Sequence, residues 1–381
     1  MGKEKPYKNS QDRHPQGCLS SNPIKQITMA WKKVTLNING LSVEAQAPEI
    51  ISASRSTDIP AFYADWFFHR LEAGYSVWNN PFNGMKSYVS FQNTRFIVFW
   101  SKNPKPLLPY LPVLKEKGIG CYVQFTLNDY EEDGLETGVP PLEERIGTFK
   151  ALSEILGKEA VIWRFDPLIL TDGISIDTLL EKIERIGTEI HGCTEKLVFS
   201  FADIATYRRV KANMDGSGIP YREWDRQSME ELAGRLSRLN RDKGWRLELA
   251  TCGENLDLGR YRISRNRCID GDLIARLAWK DRELMSAMGI CVQEQPGPDF
   301  DMNALPYGAV LLPGNRYFIS NHRKDPGQRT ACGCMVSKDI GEYNTCPHLC
   351  EYCYANASKR AATDNWKMHL KHPTGETITG K

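Results

Sequence analysis

The 381-residue sequence lacks any apolar run long enough to cross a membrane, and residues 1–26 lack the apolar segment of a signal peptide. We therefore expect a cytoplasmic protein with no membrane partner. An excess of charge is also missing, because 49 Lys and Arg face 47 Asp and Glu, so no overall field attracts nucleic acid. The chain has no Ser-His-Asp, phosphate-loop or GxGxxG pattern to indicate a hydrolase or a nucleotide-binding protein.

Cysteine is abundant, with eleven residues. In the reducing cytoplasm, an odd number of cysteines favours thiols and metal ligands over a disulfide framework. Four of them have no partner pattern and are interpreted as ordinary thiols: Cys18, Cys121, Cys193 and Cys291.

Short apolar runs alternate with amphipathic stretches, a pattern typical of parallel sheets buried on both faces. The predicted strands are 49–54, 75–78, 95–100, 120–126, 160–165, 196–201 and 246–250, and the predicted helices include 61–73, 142–156, 176–190 and 226–242. Residues 33–46 alternate around Asn39-Gly40, which predicts a hairpin. We expect an α/β protein with a complete or partial (β/α) TIM-like barrel and a C-terminal cysteine-rich module.

The regular alternation predicts four regions. Residues 1–30 are a flexible tail, 31–251 form the hairpin and barrel, 252–357 form the cysteine-rich module folding back on the barrel, and 358–381 are a polar tail with a disordered end. Within the module, residues 293–320 are expected to be loops with one hairpin.

Polar and ionisable residues follow almost every predicted strand. Since the carboxyl ends of parallel strands form the active-site mouth, we take six of them as catalytic candidates: Arg55, Asp58, Lys102, Asn103, Arg164 and Asp166. The alternatives stay open, because Asp58 can simply cap the following helix and the two arginines can pair with nearby aspartates. Their guanidinium groups also suit an anionic cofactor or substrate.

Three cysteines near the end of the chain have gaps of three and two residues. Thiolates of Cys346, Cys350 and Cys353 can cap three corners of a cubane iron–sulfur cluster and leave the fourth iron open. The alternative is half a zinc site, completed by another cysteine or by His348.

The pattern C-x3-C-x-aromatic-C, with Tyr352 as the aromatic residue, resembles the signature of radical S-adenosylmethionine (SAM) enzymes. The resemblance implies a [4Fe–4S] cluster that binds SAM and cleaves it reductively to a deoxyadenosyl radical, which then acts on a substrate. It also implies a reductant such as flavodoxin or ferredoxin. Those enzymes often have a Gly-Gly-Glu strand end near the SAM ammonium, which this chain lacks, and Glu254 is the nearest substitute. Their motif normally precedes the barrel, whereas here it follows.

A wider resemblance accommodates the late motif. The segments ISASRSTDIP (51–60), FWSKNP (99–104), WRFDP (163–167) and 332–356 resemble DUF1848, a bacterial family of unknown function that ends in such a cysteine cluster. The resemblance runs from about Ile50 to Asn356 and leaves the substrate unknown, as a small molecule or a nucleic acid. The Cys-x2-Cys-Tyr ending is similar to the photoproduct-lyase group, which keeps a nucleic acid in view.

Four further cysteines are candidates for a second site. Cys252, Cys268, Cys332 and Cys334 can supply four thiolates for a closed iron–sulfur cluster or a zinc ion, or can remain buried free thiols. The rival to SAM chemistry is a zinc- or iron–sulfur-stabilised binding or redox protein.

Overall fold

The structure is a computed structural model that describes residues 31–80, 83–294, 305–321 and 323–380. The predicted tail 1–30, which contains Cys18, lies outside the described residues. No helix in the described part combines the length and the apolar character that a membrane crossing requires.

Short strands and helices alternate through most of the described chain. The strands are β1 (Lys33–Ile38), β2 (Leu41–Gln46), β3 (Ile50–Ala53), β4 (Tyr75–Asn79), β5 (Lys86–Ser90), β6 (Phe96–Ser101), β7 (Gly120–Thr126), β8 (Val161–Leu168), β9 (Leu170–Thr171), β10 (Lys196–Phe201), β11 (Tyr221–Arg222), β12 (Glu248–Thr251), β13 (Ile263–Arg265), β14 (Val292–Glu294), β15 (Ala309–Leu312), β16 (Arg316–Ile319) and β17 (Lys338–Asp339).

The helices lie between these strands and at the end of the chain. They are α1 (Ile59–Phe62), α2 (Ala64–Ala73), α3 (Leu111–Glu116), α4 (Leu142–Leu156), α5 (Ile176–Ile190), α6 (Arg208–Ser217), α7 (Arg226–Asp242), α8 (Gly271–Ala278), α9 (Arg282–Met288) and α10 (Lys359–Lys371), with 3₁₀ turns at Lys105–Tyr110, Lys158–Ala160, His191–Cys193 and Gly259–Tyr261.

A large parallel sheet organises the fold and confirms the α/β class. Its eight strands run in the order β13-β12-β10-β8-β7-β6-β3-β17, and each neighbouring pair is parallel. The edge strands β13 and β17 do not pair with each other, so the described sheet is open and, of the complete or partial barrel expected from the sequence, the complete form is not seen in the described residues.

The two faces of this sheet have separate cores because side chains alternate along each strand. Ile97 and Phe99 of β6 join one core with the helices that connect the strands. Phe96 and Val98 of the same strand face the other core, which α8, α9 and the small sheet β14-β16-β15 cover. Burial on both faces explains why the strands read as continuous apolar runs.

The structure confirms two expected hairpins and places one expected strand in a different sheet. The hairpin of β1 and β2 is confirmed, with Asn39 and Gly40 at positive φ. The run 75–78 is a strand, but it belongs to the separate sheet β1-β2-β5-β4 and contributes nothing to the parallel sheet. In the segment 293–320, β15 and β16 form the expected hairpin.

The structure describes the polar segment 358–381, for which the sequence predicts a disordered end, through residue 380. It contains α10, whose first turn is capped by the Ser358 side chain. Beyond the helix, Ile378 is fully buried, and the Gly375 carbonyl accepts a hydrogen bond of 2.8 Å from Trp66 Nε1.

Two helical glycines provide a matched test of the helix layer. A methyl group on Gly187 in α5 would lie 2.3 Å from the Trp245 ring, whereas Gly147 in α4 has open space around it. Gly187→Ala should lower the free energy of unfolding by about 1–3 kcal/mol through overpacking, and Gly147→Ala should raise it by about 0.5–1 kcal/mol through helix propensity.

Urea denaturation of both variants beside the unmodified protein measures the two changes. Equal effects of the two substitutions would show that the α5–Trp245 contact does not constrain the helix layer.

Candidate functional site at the carboxyl ends of the strands

The short strand β17 brings the C-terminal cysteines to the carboxyl end of the parallel sheet. Lys338 and Asp339 pair in parallel with Ile51 and Ser52 of β3, so the chain leaves β17 in the direction of the strand ends. Gly341 follows so closely over the turn after β3 that a Cβ atom there would lie 1.9 Å from Ser54 Oγ. The segment 340–356, which we name the cysteine loop, therefore starts at the sheet edge where the polar candidates were expected.

Asp339 holds the turn after β3 and the start of the cysteine loop together. Its carboxylate accepts hydrogen bonds from Ser52 Oγ (2.8 Å), Ser54 Oγ (2.7 Å), Ser56 Oγ (3.2 Å) and the Arg55 backbone N–H (2.8 Å). It also accepts one from the Gly341 backbone N–H at 3.0 Å. Five donors on one carboxylate join the end of β3 to the start of the cysteine loop.

Of the three cysteines in the cysteine loop, Cys350 is buried and Cys346 and Cys353 are partly buried, and backbone hydrogen bonds hold their segment together. The Cys353 N–H bonds to the Cys350 carbonyl at 3.2 Å, Asn356 Nδ2 donates to the Cys346 carbonyl at 2.8 Å, and the Asn356 N–H points at Cys353 Sγ. Burial raises the pKa of all three thiols, and the charges of Cys350 and Cys353 raise that of Cys346 further. In the described structure they influence one another through charge, without a direct thiol–thiol hydrogen bond.

Asp58 connects the cysteine loop to two strand ends. Its Oδ1 accepts a hydrogen bond from the Ala61 N–H at 3.0 Å and so caps α1, which is the alternative to a catalytic role that the sequence left open. Its Oδ2 accepts from the Lys102 N–H at 2.7 Å and contacts His348 Nε2 at 2.9 Å. The other ring nitrogen of His348 bonds to the Gly138 carbonyl at 3.0 Å. Because oxygen atoms occupy both ring nitrogens, His348 is not placed to complete a zinc site with the loop thiols.

A buried charge network lies beneath the loop. Lys102 Nζ contacts Glu136 Oε1 at 2.7 Å and Tyr352 Oη at 2.9 Å, and Tyr352 Oη and Asn128 Nδ2 also donate to Glu136. Burial alone would raise the pKa of Glu136, but the Lys102 ammonium and the Arg145 guanidinium lower it to about 2. Burial opposes the charged form of Lys102, yet Glu136 and the Cys350 sulfur raise its pKa. The Lys102 ammonium is therefore held in place by its partners and attracts negative charge on the Cys350 sulfur.

Arg164 and Asp166 form an ion pair at the end of β8, in agreement with the alternative left open for them. Ser200 Oγ also donates to Asp166, and Arg164 Nη1 contacts Gln124 Oε1 at 3.1 Å and Cys268 Sγ at 3.2 Å. Arg55 pairs with Asp339, at 3.7 Å from Nε to Oδ2, and its backbone carbonyl accepts from Tyr354 Oη. Its pKa is raised because Asp339 and the Cys334 sulfur offset its burial.

Glu254 lies farther along the same edge. Its Oε1 accepts from the Phe201 N–H at 3.1 Å, which attaches it to the end of β10. Burial and the neighbouring Asp203 and Asp166 carboxylates raise the pKa of Glu254 to about 7. It remains a candidate for an ammonium group, since a cation there would relieve the repulsion between the carboxylates.

The second group of cysteines also converges. Cys252 Sγ and Cys268 Sγ are 3.2 Å apart, and Cys334 Sγ accepts hydrogen bonds from the backbone N–H groups of Cys268 at 3.1 Å and Ile269 at 3.4 Å. Cys332 packs against the same core. The hydrogen bonds from Cys252 and Cys334, helped by Arg164, hold the pKa of Cys268 well below its usual range despite burial.

Several buried polar atoms around the cysteine loop would suit a bound polar group. Thr57 Oγ1, Asn103 Oδ1 and Asn356 Oδ1 are buried and have no hydrogen-bond partner, although buried polar atoms normally have one. Three grouped thiols are the donor set of an open iron–sulfur cluster. Among the described residues, however, no three or more His, Cys, Asp and Glu side chains surround a point as in a formed metal site. The thiols would therefore have to adjust on metal binding.

Sequence reasoning missed three residues of this site. Glu136 and Asn128 lie between β7 and α4, and Asp339 precedes the cysteine loop; none belongs to a recognisable spacing. The partners of Glu136 and Asp339 come close to these carboxylates only when the chain folds.

A charged groove of about 300 Å³, bordered by Glu159, Glu195 and Arg276, lies away from this site at the amino ends of the strands.

Comparison with protein families gives one match. The family model described as "Domain of unknown function (DUF1848)" matches residues 50–355. No curated protein and no solved structure matches the chain.

The buried network makes a test of stability possible. Glu136→Gln would leave the Lys102 ammonium buried without its carboxylate, so the free energy of unfolding at pH 7 should fall by about 3 kcal/mol. Urea denaturation measures this. Glu143→Gln, on the exposed start of α4 and paired with Arg185, is the control and should change little. Equal losses in both variants would contradict a structural role for the network.

The same pair of proteins predicts a pH dependence. The folded-state pKa of Glu136, about 2, lies below its usual value of 4.5, so its contribution is complete above pH 4.5 and is lost as the pH falls towards 2. The stability difference between the unmodified protein and Glu136→Gln should shrink over that range, and a constant difference would argue against the low pKa.

Proposed function

This chain belongs to the DUF1848 family, whose function is unknown, and from that premise we propose that it is a radical-SAM-like iron–sulfur enzyme. The observation that carries the proposal is the return of the cysteine loop to the carboxyl ends of the parallel strands. There Cys346, Cys350 and Cys353 would hold three corners of a [4Fe–4S] cluster. We also propose that the open eight-stranded sheet serves as a partial barrel around the substrate.

When bound, such a cluster supplies the electron that cleaves SAM to a deoxyadenosyl radical. The protein's own part is to orient the cofactor and exclude water. Lys102 brings positive charge to the Cys350 sulfur and so favours the thiolate that an iron ligand must be. Glu136, Asn128 and Tyr352 fix the ammonium group in place, since each is hydrogen-bonded within the same buried network.

Three buried polar atoms support the proposal that a cofactor binds next to the cysteine loop. Thr57 Oγ1 follows β3, Asn103 Oδ1 follows β6, and Asn356 Oδ1 ends the cysteine loop, and each is buried without a partner. A ligand with ribose hydroxyls and a carboxylate would satisfy such atoms. We assign Glu254 and Arg55 as candidates for its ammonium and its carboxylate, because the two side chains carry the complementary groups on the same edge.

The remaining parts of the proposal follow from the chemistry. The enzyme needs a one-electron reductant, such as flavodoxin or ferredoxin, and we propose that it works in the cytoplasm. Its substrate is a small molecule or a nucleic acid. The alternative is a metal-stabilised binding or redox protein without SAM chemistry, which the convergence of Cys252, Cys268, Cys332 and Cys334 favours. The content of metal and sulfide, together with SAM cleavage, separates the two.

Anaerobic reconstitution with iron and sulfide tests the proposal. The full chain should gain about four iron atoms, as one [4Fe–4S] cluster requires, and should form 5′-deoxyadenosine from SAM when dithionite is added. The Cys346→Ala/Cys350→Ala/Cys353→Ala variant should lose both properties. Cys193→Ala, a partly buried thiol outside both groups, is the control and should keep them.

Two results would contradict the proposal. One is full iron loading in the triple variant, which would place the cluster elsewhere. The other is a chain that takes up zinc but no iron or sulfide, which would support the binding-protein alternative.

A further inference from the structure

The thiols of Cys252, Cys268, Cys332 and Cys334 pack much more tightly than those of the cysteine loop. Cys252 Sγ and Cys268 Sγ are 3.2 Å apart, too far for a disulfide bond of about 2.05 Å. Cys334 Sγ accepts a hydrogen bond from the Cys268 N–H at 3.1 Å, and Cys332, two residues earlier, packs against the same core as Cys252. The four thiols thus come from three parts of the chain to one part of the fold.

The spacing of the sulfurs distinguishes one metal ion from a cluster. Four sulfurs bound to one zinc at about 2.3 Å in a tetrahedron lie about 3.8 Å apart. A cubane cluster separates its cysteine sulfurs much farther, since each binds a different iron. The observed 3.2 Å needs only a small expansion to accept a single ion. Among the described residues no formed metal geometry surrounds these thiols, so they would have to rearrange when an ion binds.

The surroundings already provide the donors that metal-bound thiolates accept. The N–H groups of Cys268 and Ile269 point at Cys334 Sγ, at 3.1 Å and 3.4 Å. Arg164 Nη1 and Asn266 Nδ2 approach Cys268 Sγ at 3.2 Å and 3.4 Å. Arg164 is 4% exposed, so this contact is inside the protein. Such outer donors are a regular part of metal sites and offset the negative charge of the thiolates.

Three separate parts of the chain meet at this group. Cys252 follows β12, Cys268 follows β13, and Cys332 and Cys334 belong to the segment that leads into β17. That segment is held in place by Met335 N–H to the Ile269 carbonyl at 3.0 Å and by Asp325 N–H to the Cys334 carbonyl at 2.8 Å. A metal ion here would tie the last strands of the sheet to the approach of the cysteine loop.

We propose that Cys252, Cys268, Cys332 and Cys334 form a closed tetrathiolate site for a single zinc ion. Binding displaces the thiol protons to solvent and requires no oxidant or reductant. All four positions are taken by protein, so the ion has no open position for substrate and acts structurally. The proposal does not depend on SAM chemistry, because it concerns different thiols from those of the cysteine loop.

Zinc alone is the first probe. The reduced, metal-free Cys346→Ala/Cys350→Ala/Cys353→Ala chain should bind one zinc ion, counted by native mass spectrometry. Adding Cys332→Ser should weaken zinc binding at least about tenfold, since even outer contacts of metal sites contribute that much. Adding Cys193→Ser instead should leave it unchanged.

Cobalt in the unmodified full chain gives a measurement that does not depend on any variant folding. Co²⁺ should produce the intense visible spectrum of a tetrahedral thiolate complex, and zinc should displace it. Absence of that spectrum, or failure of the folded triple variant to bind zinc, would overturn the proposal. So would iron and sulfide retained by these four thiols after reconstitution of the triple variant.

The outcome is separable from that of the enzyme proposal. Zinc bound by the triple variant supports the tetrathiolate site whether or not the unmodified chain cleaves SAM. SAM cleavage without zinc binding would support the enzyme and reject this site.

Discussion

The pairing of β17 with β3 is the contact on which the candidate site depends. Only two residues make this pairing, Lys338 with Ile51 and Asp339 with Ser52. Two residues of strand are weak alone, and the carboxylate of Asp339 compensates by accepting hydrogen bonds from three serine hydroxyls and two backbone N–H groups. Because the pairing is parallel, it delivers the cysteine loop to the edge where parallel sheets carry their polar side chains.

The two cysteine groups are built by different physical means. Around the cysteine loop the polar side chains are charged and buried, and Lys102 and Glu136 fix a cation near the Cys350 sulfur. In the group proposed to bind zinc, Cys252 Sγ and Cys268 Sγ are 3.2 Å apart, and neutral and cationic donors approach the sulfurs of Cys268 and Cys334. The adjacent cation suits the cluster proposed for the loop, and the short distance between two sulfurs suits a single ion. Arg55 contacts Tyr354 of the cysteine loop through its backbone carbonyl; burial lowers the pKa of its guanidinium, but Asp339 and the Cys334 sulfur raise it.

Long periodic segments were predictable from the sequence. The helices α4 and α5 match their predicted bounds, and six of the seven apolar runs are strands of the parallel sheet. The strands β13 and β17, with three and two residues, are too short to show a period, so their contribution to the sheet could not be foreseen. The run 75–78 has strand character but no signal of which sheet it joins.

Among the candidate site residues, too, some were predictable from the sequence and others were not. Cysteine spacing made the loop thiols candidates, and the C-x-C pair and the two cysteines around residues 253–255 made the other four candidates, because thiols are rare and their patterns carry information. Asp58 caps α1, as one of the alternatives held, whereas its contact with His348 was not predicted. Glu136 and Asp339 escaped notice because an isolated carboxylate gains its meaning from partners far away in the chain: Lys102 is 34 residues from Glu136, and Ser52 is 287 from Asp339.

The most direct test of the central claim is low-temperature electron paramagnetic resonance of the reconstituted, reduced protein, recorded with and without SAM. A cluster bound by three thiols leaves one iron that SAM can bind. The account predicts a reduced-cluster signal that shifts on addition of SAM and is absent from the triple cysteine variant of the loop. A signal that is indifferent to SAM would contradict it, because every iron would then already have its ligands.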